Sequence, residues 1–368
     1  MNRVLIAPLD WGLGHATRCI PIIEGFLQRD ADVILAGNGD SLQLLAKEFP
    51  ALKYYELPGY NPRYSESGMM ILKMIAQVPR FLNVIRQEHK VLKEIVSKER
   101  IDLVVSDNRY GCWSDKVPSI FITHQIHIPV PHHLGLKHWV NRYNFRLIEK
   151  FTECWIPDYP GHHSLAGKLM RTEKTGLSNV KFIGNLSRFK RKDLGTISHK
   201  FDVLAVLSGP EPQRTALENI LIRQLANSGL RYFIVRGVIG GHKPIAESVP
   251  AADYMQTAEL QSMIDQSDCV IARSGYTTIM DLARLGKRAI FIPTPGQSEQ
   301  RYLGRRLMKM RIALCVDQGK FELTKALKLS KRFIGFNFTE DRFNLLDPAL
   351  DETFANLLNP SKMGLKNR

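Results

Sequence analysis

Short apolar runs alternate with amphipathic stretches along the chain. Arg3 to Pro8 (RVLIAP), Asp32 to Gly37 (DVILAG), Leu52 to Leu57 (LKYYEL), Ile101 to Asp107 (IDLVVSD) and Pro118 to His124 (PSIFITH) read as strands. After the first of them Gly12 and Gly14 break the run, and Cys19, Ile20, Ile22, Ile23, Phe26 and Leu27 then recur at helical spacing. SLQLLAKEF (Ser41 to Phe49) reads as a further helix. The pattern restarts at Asp202 to Pro210 (DVLAVLSGP), continues through the helical Thr215 to Gly229, and adds strands in RYFIVRG, CVIARSG and RAIFIPTP. Buried strands interleaved with helices predict parallel sheets covered on both faces. The polar, basic stretch Gly184 to Lys200 separates the two series. The prediction is an α/β protein of two doubly wound, Rossmann-like domains facing each other across a cleft. The first spans 1–185, a linker 186–200, and the second 201–335, with a tail at 336–368 expected to pack back on the first domain.

Composition narrows the class. The 368 residues are 44% apolar and 24% charged, which excludes collagenous, low-complexity and disulfide-stapled proteins. Lys and Arg exceed Asp and Glu by 51 to 36, a net charge of +15 that favours anionic partners: nucleic acid, anionic membrane or phosphorylated small molecules. No nucleic-acid module is recognisable, so no nucleic-acid partner is expected. No apolar run reaches the roughly 18 residues of a membrane span, and the N-terminal apolar stretch is too short for a signal peptide. The expectation is a cytoplasmic protein, peripheral on the inner face of the cell membrane. Met69 to Val96 and His132 to Phe151 mix aromatic and aliphatic residues with Lys and Arg, as a helix lying in a headgroup layer would, or one burying its apolar side in its own domain. The five cysteines form no C-x-x-C pair and read as reduced thiols.

In open parallel sheets ligands sit beyond the carboxyl ends of the strands, which directs attention to the glycine turns. In ARSGYTTIMDLARLG, Ser274 and Gly275 end a strand and Thr277 and Thr278 begin a helix, whose free N–H groups favour a phosphate. Asp281, one turn on, is placed to accept from ribose hydroxyls; an ordinary N-cap with a dipole-compensating acid fits the same residues. Ser208 and Gly209 form a second phosphate-facing loop or a stiff turn. Gln297, Glu299 and Gln300, after the RAIFIPTP strand, are within reach of sugar hydroxyls or belong to a plain polar loop.

In the first half, GLGHATR carries Gly12, Gly14 and Thr17 but lacks the third glycine and the distal acid of a nicotinamide site. His15 is a candidate general base, or a helix-capping histidine. Asp107, Asn108 and Arg109, with His124 and Gln125, line an acceptor pocket or are structural. His124, His127, His132 and His133 match no zinc spacing, so no metal is expected.

Arg273 to Tyr302 (RSGYTTIMDLARLGKRAIFIPTPGQSEQRY) and GLGHATR resemble the two signature motifs of family 28-type glycosyltransferases of the GT-B fold, above all the N-acetylglucosaminyltransferases of peptidoglycan synthesis. The resemblance implies a UDP-sugar donor in the second domain. Ser274 and Gly275 would lie at the diphosphate, with Arg273 also in the donor site, Asp281 (where the family usually has Glu) at the ribose and Gln300 at the sugar. Tyr254, Met255 and Thr257 would lie beside the uracil, and His15 near the reacting centre. The implied activity moves an N-acetylhexosamine or hexose to a small-molecule or lipid-linked hydroxyl acceptor by inverting displacement without metal or cofactor. GLGHATRC (Gly12 to Cys19) also resembles the G-x-G-H-x-x-R-C loop of the UDP-sugar hydrolase of pseudaminic acid synthesis, which implies water as the alternative acceptor.

Overall fold

In the computed structural model, which describes residues 2–61, 77–128, 135, 137–172, 175–191, 199–238, 245–336 and 344–358, the chain divides into two compact units. The first apolar run, Arg3–Pro8 (β1), lies at the centre of a parallel sheet of seven strands. The others are Asp32–Gly37 (β2), Lys53–Glu56 (β3), Leu103–Asp107 (β4), Ser119–Ile122 (β5), Glu153–Ile156 (β6) and Val180–Phe182 (β7), in the order β3-β2-β1-β4-β5-β6-β7. Val4, Leu5, Ile6 and Ala7 of β1 are completely buried, as are Leu103, Val104 and Val105 of β4, which explains their continuous rather than alternating apolar sequence. Helices Leu13–Leu27 (α1), Gly39–Glu48 (α2), Val78–Glu99 (α3) and Lys137–Ile148 (α4) accompany these strands. The C-terminal helix Leu346–Leu358 (α10) belongs to the same unit: Leu350 packs against Gly25 of α1, and Arg29 bridges to Asp347 and Asp351.

The second unit repeats the plan with six strands: Phe201–Val206 (β8), Tyr232–Val235 (β9), Ala251–Ala252 (β10), Ser267–Ala272 (β11), Ala289–Phe291 (β12) and Leu314–Cys315 (β13). Their order is β10-β9-β8-β11-β12-β13, again all parallel. Helices Gln213–Ala226 (α5), Thr257–Asp265 (α6), Tyr276–Leu285 (α7), Ser298–Lys309 (α8) and Leu323–Ser330 (α9) connect them. The core joins Leu217, Leu221 and Leu225 of α5 to Ile271, Ile290 and Ile292 across the sheet.

Strand order fixes where chemistry can happen. In each sheet the connections reverse direction beside the first strand, between β1 and β4 and between β8 and β11. There the loops diverge and leave a crevice at the carboxyl ends. The registers Pro8↔Asp107 and Val206↔Ala272 mark these two places.

The stretch around Met69 to Val96 resolves differently from a membrane helix. Residues 69–76 lie outside the described part, and α3 turns Val84, Leu92, Ile95 and Val96 into its own unit. Glu88 shares that buried stripe, where it takes Arg109 (2.6 Å), the Tyr60 hydroxyl (3.0 Å) and the Gly111 amide (2.8 Å). This network ties α3 to the loop after β4 at a point of close backbone approach. A Cβ at Gly111 would stand 2.4 Å from the Ile85 carbonyl and 2.7 Å from Glu88 Oε2. Gly111→Ala is therefore expected to destabilise the first unit by about 1–3 kcal/mol, read as an earlier thermal transition.

Candidate functional site

At the end of β1 the chain turns through Gly12 at φ 92°, a conformation that side-chain-bearing residues avoid. That turn lets α1 start at Leu13, earlier than the apolar periodicity suggests, and puts His15 in the first helical turn instead of on the loop. Its Nδ1 lies 3.0 Å from Oδ1 of Asp107, the last residue of β4. Arg18, one turn further along α1, grips both oxygens of the same carboxylate and reaches His124 Nδ1 (2.8 Å). Its Nη2, which carries two hydrogens, also lies 2.8 Å from His15 Nδ1, so that imidazole nitrogen faces both a carboxylate oxygen and a guanidinium donor. In the tautomer that donates from Nδ1 to Asp107, Nε2 keeps its lone pair. The side chain is 14% exposed, against 0% for Asp107.

Electrostatics follow from this packing. Burial lowers the His15 pKa, and the adjacent Arg18 charge lowers it further against the pull of Asp107. Burial opposes ionisation of Asp107, yet the Arg18 charge and the hydrogen bonds from Arg18 and His15 override it and hold the carboxyl well below its usual range. Asp107 remains an anion while His15 stays neutral at pH 7, the combination a general base and its orienting group require. Cys19 Sγ, 3.8 Å from Asp107 Oδ2, completes the surroundings, its thiol pushed up by burial and the carboxylate.

Other expected acceptor-side residues divide. Asn108 has φ 57° and sits on the turn after β4, and the Gln125 amide bonds Thr123 Oγ1, both partly exposed. Arg109 does not face a pocket: it is fully buried and spends its donors on Glu88 and the carbonyls of Pro8 and Pro58. Thr17 is likewise turned inward, its hydroxyl bonded to the Gly14 carbonyl. His127 bonds the Arg171 carbonyl, and His132 and His133 lie outside the described residues. The chain's Asp-x-Asp triplet, Asp30 to Asp32, sits at the amino end of β2 with Asp32 on Arg3, away from the carboxyl edge.

In the second unit β11 runs into Arg273, Ser274 and Gly275, and Gly275 caps α7. Arg273 is completely buried. Nη1 donates to the carbonyls of Ile292 (3.1 Å) and Pro293 (3.2 Å), and Nη2 to that of Gln213 (2.6 Å). No carboxylate pairs with it among the described residues, and burial lowers its pKa to about 10. It stays a cation, supported only by dipoles, beneath the start of a helix. Thr277 and Thr278 occupy the first turn of α7, while Ser208 and Gly209 (φ 106°) follow β8 at the same crossing. Tyr254 and Met255 follow β10, and Thr257 opens α6. Gln297 caps α8 and Glu299 stands in its first turn.

Three expectations need correction. Ser274 is buried and its hydroxyl donates to the Gln300 carbonyl (2.8 Å), so its side chain offers no donor to a phosphate. The Gln300 carboxamide oxygen accepts from the Thr294 amide (2.8 Å) and so braces the loop. Asp281 is not presented to a ribose: it is buried and bonded by Ser187 Oγ (2.6 Å), and burial pushes its pKa up to about 6 against the pull of Arg188. The sequence reading missed Arg188, whose Nε and Nη1 are buried without partners among the described residues. It also missed Glu88, although Val84, Glu88 and Leu92 at four-residue spacing place a charge in an apolar stripe.

Residues 242–341 match the family described as "Glycosyltransferase family 28 C-terminal domain", the segment that contains the Arg273–Gly275 turn and α8. The chain thus carries a family 28 glycosyltransferase C-terminal domain. It is 23% identical over 316 residues to an uncharacterized glycosyltransferase of Methanosarcina acetivorans, covering 81% of each chain. It is 21% identical over 345 residues to the UDP-N-acetylglucosamine--N-acetylmuramyl-(pentapeptide) pyrophosphoryl-undecaprenol N-acetylglucosamine transferase of a Sulfurihydrogenibium species, covering 94% of this chain and 90% of that one. The fold matches that of the glycosyltransferase SnogD from Streptomyces nogalater with a TM-score of 0.62 at 15% identity, over 98% of this chain and 99% of that one. The two parallel-sheet units of this glycosyltransferase are thus those of a GT-B fold.

Two substitutions test the electrostatics. In this glycosyltransferase Asp107→Asn leaves Arg18 buried without its anion and is expected to cost about 3–5 kcal/mol of stability. Asp281 is protonated more readily in the folded state (about 6, against an ordinary 3.8), so native stability falls as pH rises through that window. Asp281→Asn removes this dependence, and its melting temperature relative to the parent is expected to climb between pH 4 and 7.

Proposed function

We propose that this chain transfers a hexose or N-acetylhexosamine from a UDP-sugar to a hydroxyl acceptor by direct, inverting displacement without a metal ion. The reading assigns the donor to the second unit and the acceptor with its base to the first. The observation that carries it is the buried His15–Asp107 pair, a neutral imidazole held by a permanently ionised carboxylate. His15 Nε2 takes the acceptor proton as the hydroxyl oxygen bonds to the anomeric carbon, and the bond from that carbon to UDP breaks. The departing diphosphate meets the positive end of the α7 dipole, with the dipole-supported Arg273 charge and the Arg188 cation nearby. These cations do what a divalent ion does in other transferases.

The activity for which the Sulfurihydrogenibium relative is named supports a UDP donor and a lipid-linked acceptor. No described helix is long and apolar enough to cross a membrane. On α4, however, Trp139 is 69% and Tyr143 48% exposed, beside the exposed Arg142 and Arg146, which supports peripheral contact with an anionic membrane surface on the cytoplasmic side. One observation favours a second reading, with water as acceptor: His15, Arg18 and Cys19 all converge on Asp107, as one cooperating unit from the loop resembling the hydrolase motif.

His15→Ala is expected to lower kcat by about 10²–10⁴-fold with donor binding retained. The parent's activity should fall on the acid side with a midpoint below the ordinary histidine value of about 6.5, because the active form is the neutral ring. Turnover should survive EDTA. Assay with UDP-sugars and extracted lipids decides between acceptors: glycosylated product supports transfer, whereas free sugar and UDP released at full rate without acceptor support hydrolysis.

A further inference from the structure

Exposed apolar side chains gather at one place in the second unit. Eight large hydrophobic residues are exposed among those described, and three of them lie here: Met308 (37%), Met310 (36%) and Ile334 (69%). Main-chain bonds hold their two segments together. The Ile334 amide donates to the Arg311 carbonyl (2.9 Å), and the Gly335 amide to that of Ile312 (3.0 Å). The turn from the end of α8 into β13 and the segment after α9 therefore form one surface, at the amino edge of the sheet. The crevice of this unit lies at the opposite, carboxyl edge.

The surroundings are basic. Lys309, Arg311, Lys331 and Arg332 are all exposed, and none is ion-paired among the described residues. Neither 305–316 nor 323–336 contains an Asp or Glu, so no carboxylate of either segment offsets these cations. Asp268 is already neutralised by Arg288 (2.5 Å), whose side chain lies against Gly335. Single exposed apolar residues are ordinary on a protein surface, whereas a group of them rimmed by polar residues marks an interaction site. The mixture selects the partner. A soluble polyanion satisfies the cations and leaves Ile334 in water. A phospholipid layer offers anionic headgroups and, a few ångströms below them, hydrocarbon.

We propose that this face of the second unit docks on an anionic phospholipid surface. Ile334 and the two methionines enter the boundary between headgroups and acyl chains, and the four cations take lipid phosphates. The surface is separate from α4 of the first unit, and the inference does not depend on which sugar or nucleotide the enzyme uses.

The test is co-sedimentation of the full chain with vesicles of phosphatidylcholine, alone or mixed with phosphatidylglycerol, in the parent and in a Trp139→Ser background that silences α4. Binding is expected to the mixed vesicles and to weaken with salt. Lys331→Gln together with Arg332→Gln should lower it by about tenfold or more, at roughly fivefold per cation removed. Ile334→Ser should lower it by about tenfold, because the side chain no longer reaches hydrocarbon. All three side chains are exposed, so the melting temperature should not move. No binding by the parent, equal binding to the two kinds of vesicle, or binding that survives the double charge replacement in the Trp139→Ser background overturns the proposal. Loss on the charge replacements with no effect of Ile334→Ser also overturns it, in favour of a soluble polyanion.

Discussion

The first unit depends on a charge pair that water does not reach. Arg18 and Asp107 are both buried, and His15, Cys19 and His124 gather around them. A buried pair of this kind contributes little net stability, because desolvating both ions offsets most of their attraction. Its value is positional. Asp107 anchors His15 Nδ1, Arg18 holds the ring of His124, and burial together with the Arg18 charge keeps His15 from becoming cationic. One carboxylate therefore anchors the imidazole proposed here as the base.

The second unit handles charge in the opposite way. Arg273 is as deeply buried as Arg18, but carbonyl oxygens surround it instead of a carboxylate. Its positive charge is stabilised without being cancelled, so its field still acts at the start of α7. The two crossings share a topology and differ in electrostatics: one buried arginine is neutralised by a carboxylate, the other keeps its positive charge. The same doubly wound plan serves both because its crevice is made by strand order and not by any particular side chain.

Much of this was legible in the sequence. Continuous apolar runs such as VLIA and VIA announced the central strands, since strands buried on both faces cannot alternate. The start of α1 was not legible, because Gly12 and Gly14 look like helix breakers unless the turn at φ 92° is known. Candidate residues at strand ends were found by position, and His15 and Asp107 do come together. Arg109, Thr17 and Asp281 were misassigned for one reason: a polar residue at a strand end or helix start can point outward to a ligand or inward to satisfy the backbone, and spacing does not distinguish them. Short edge strands such as β10 and β13, two residues each, left no pattern to detect.

The bracing between β12 and α8 bears on how such a scaffold diversifies. Arg273 and Ser274 hold the neighbouring segment through main-chain carbonyls of Ile292, Pro293 and Gln300, groups that every amino acid possesses. Side chains there can change without loosening the frame. If that segment meets the transferred sugar, as the family resemblance implies, selectivity for it is uncoupled from the frame that holds the nucleotide, and a lineage built on this plan can drift to new donors by point replacement.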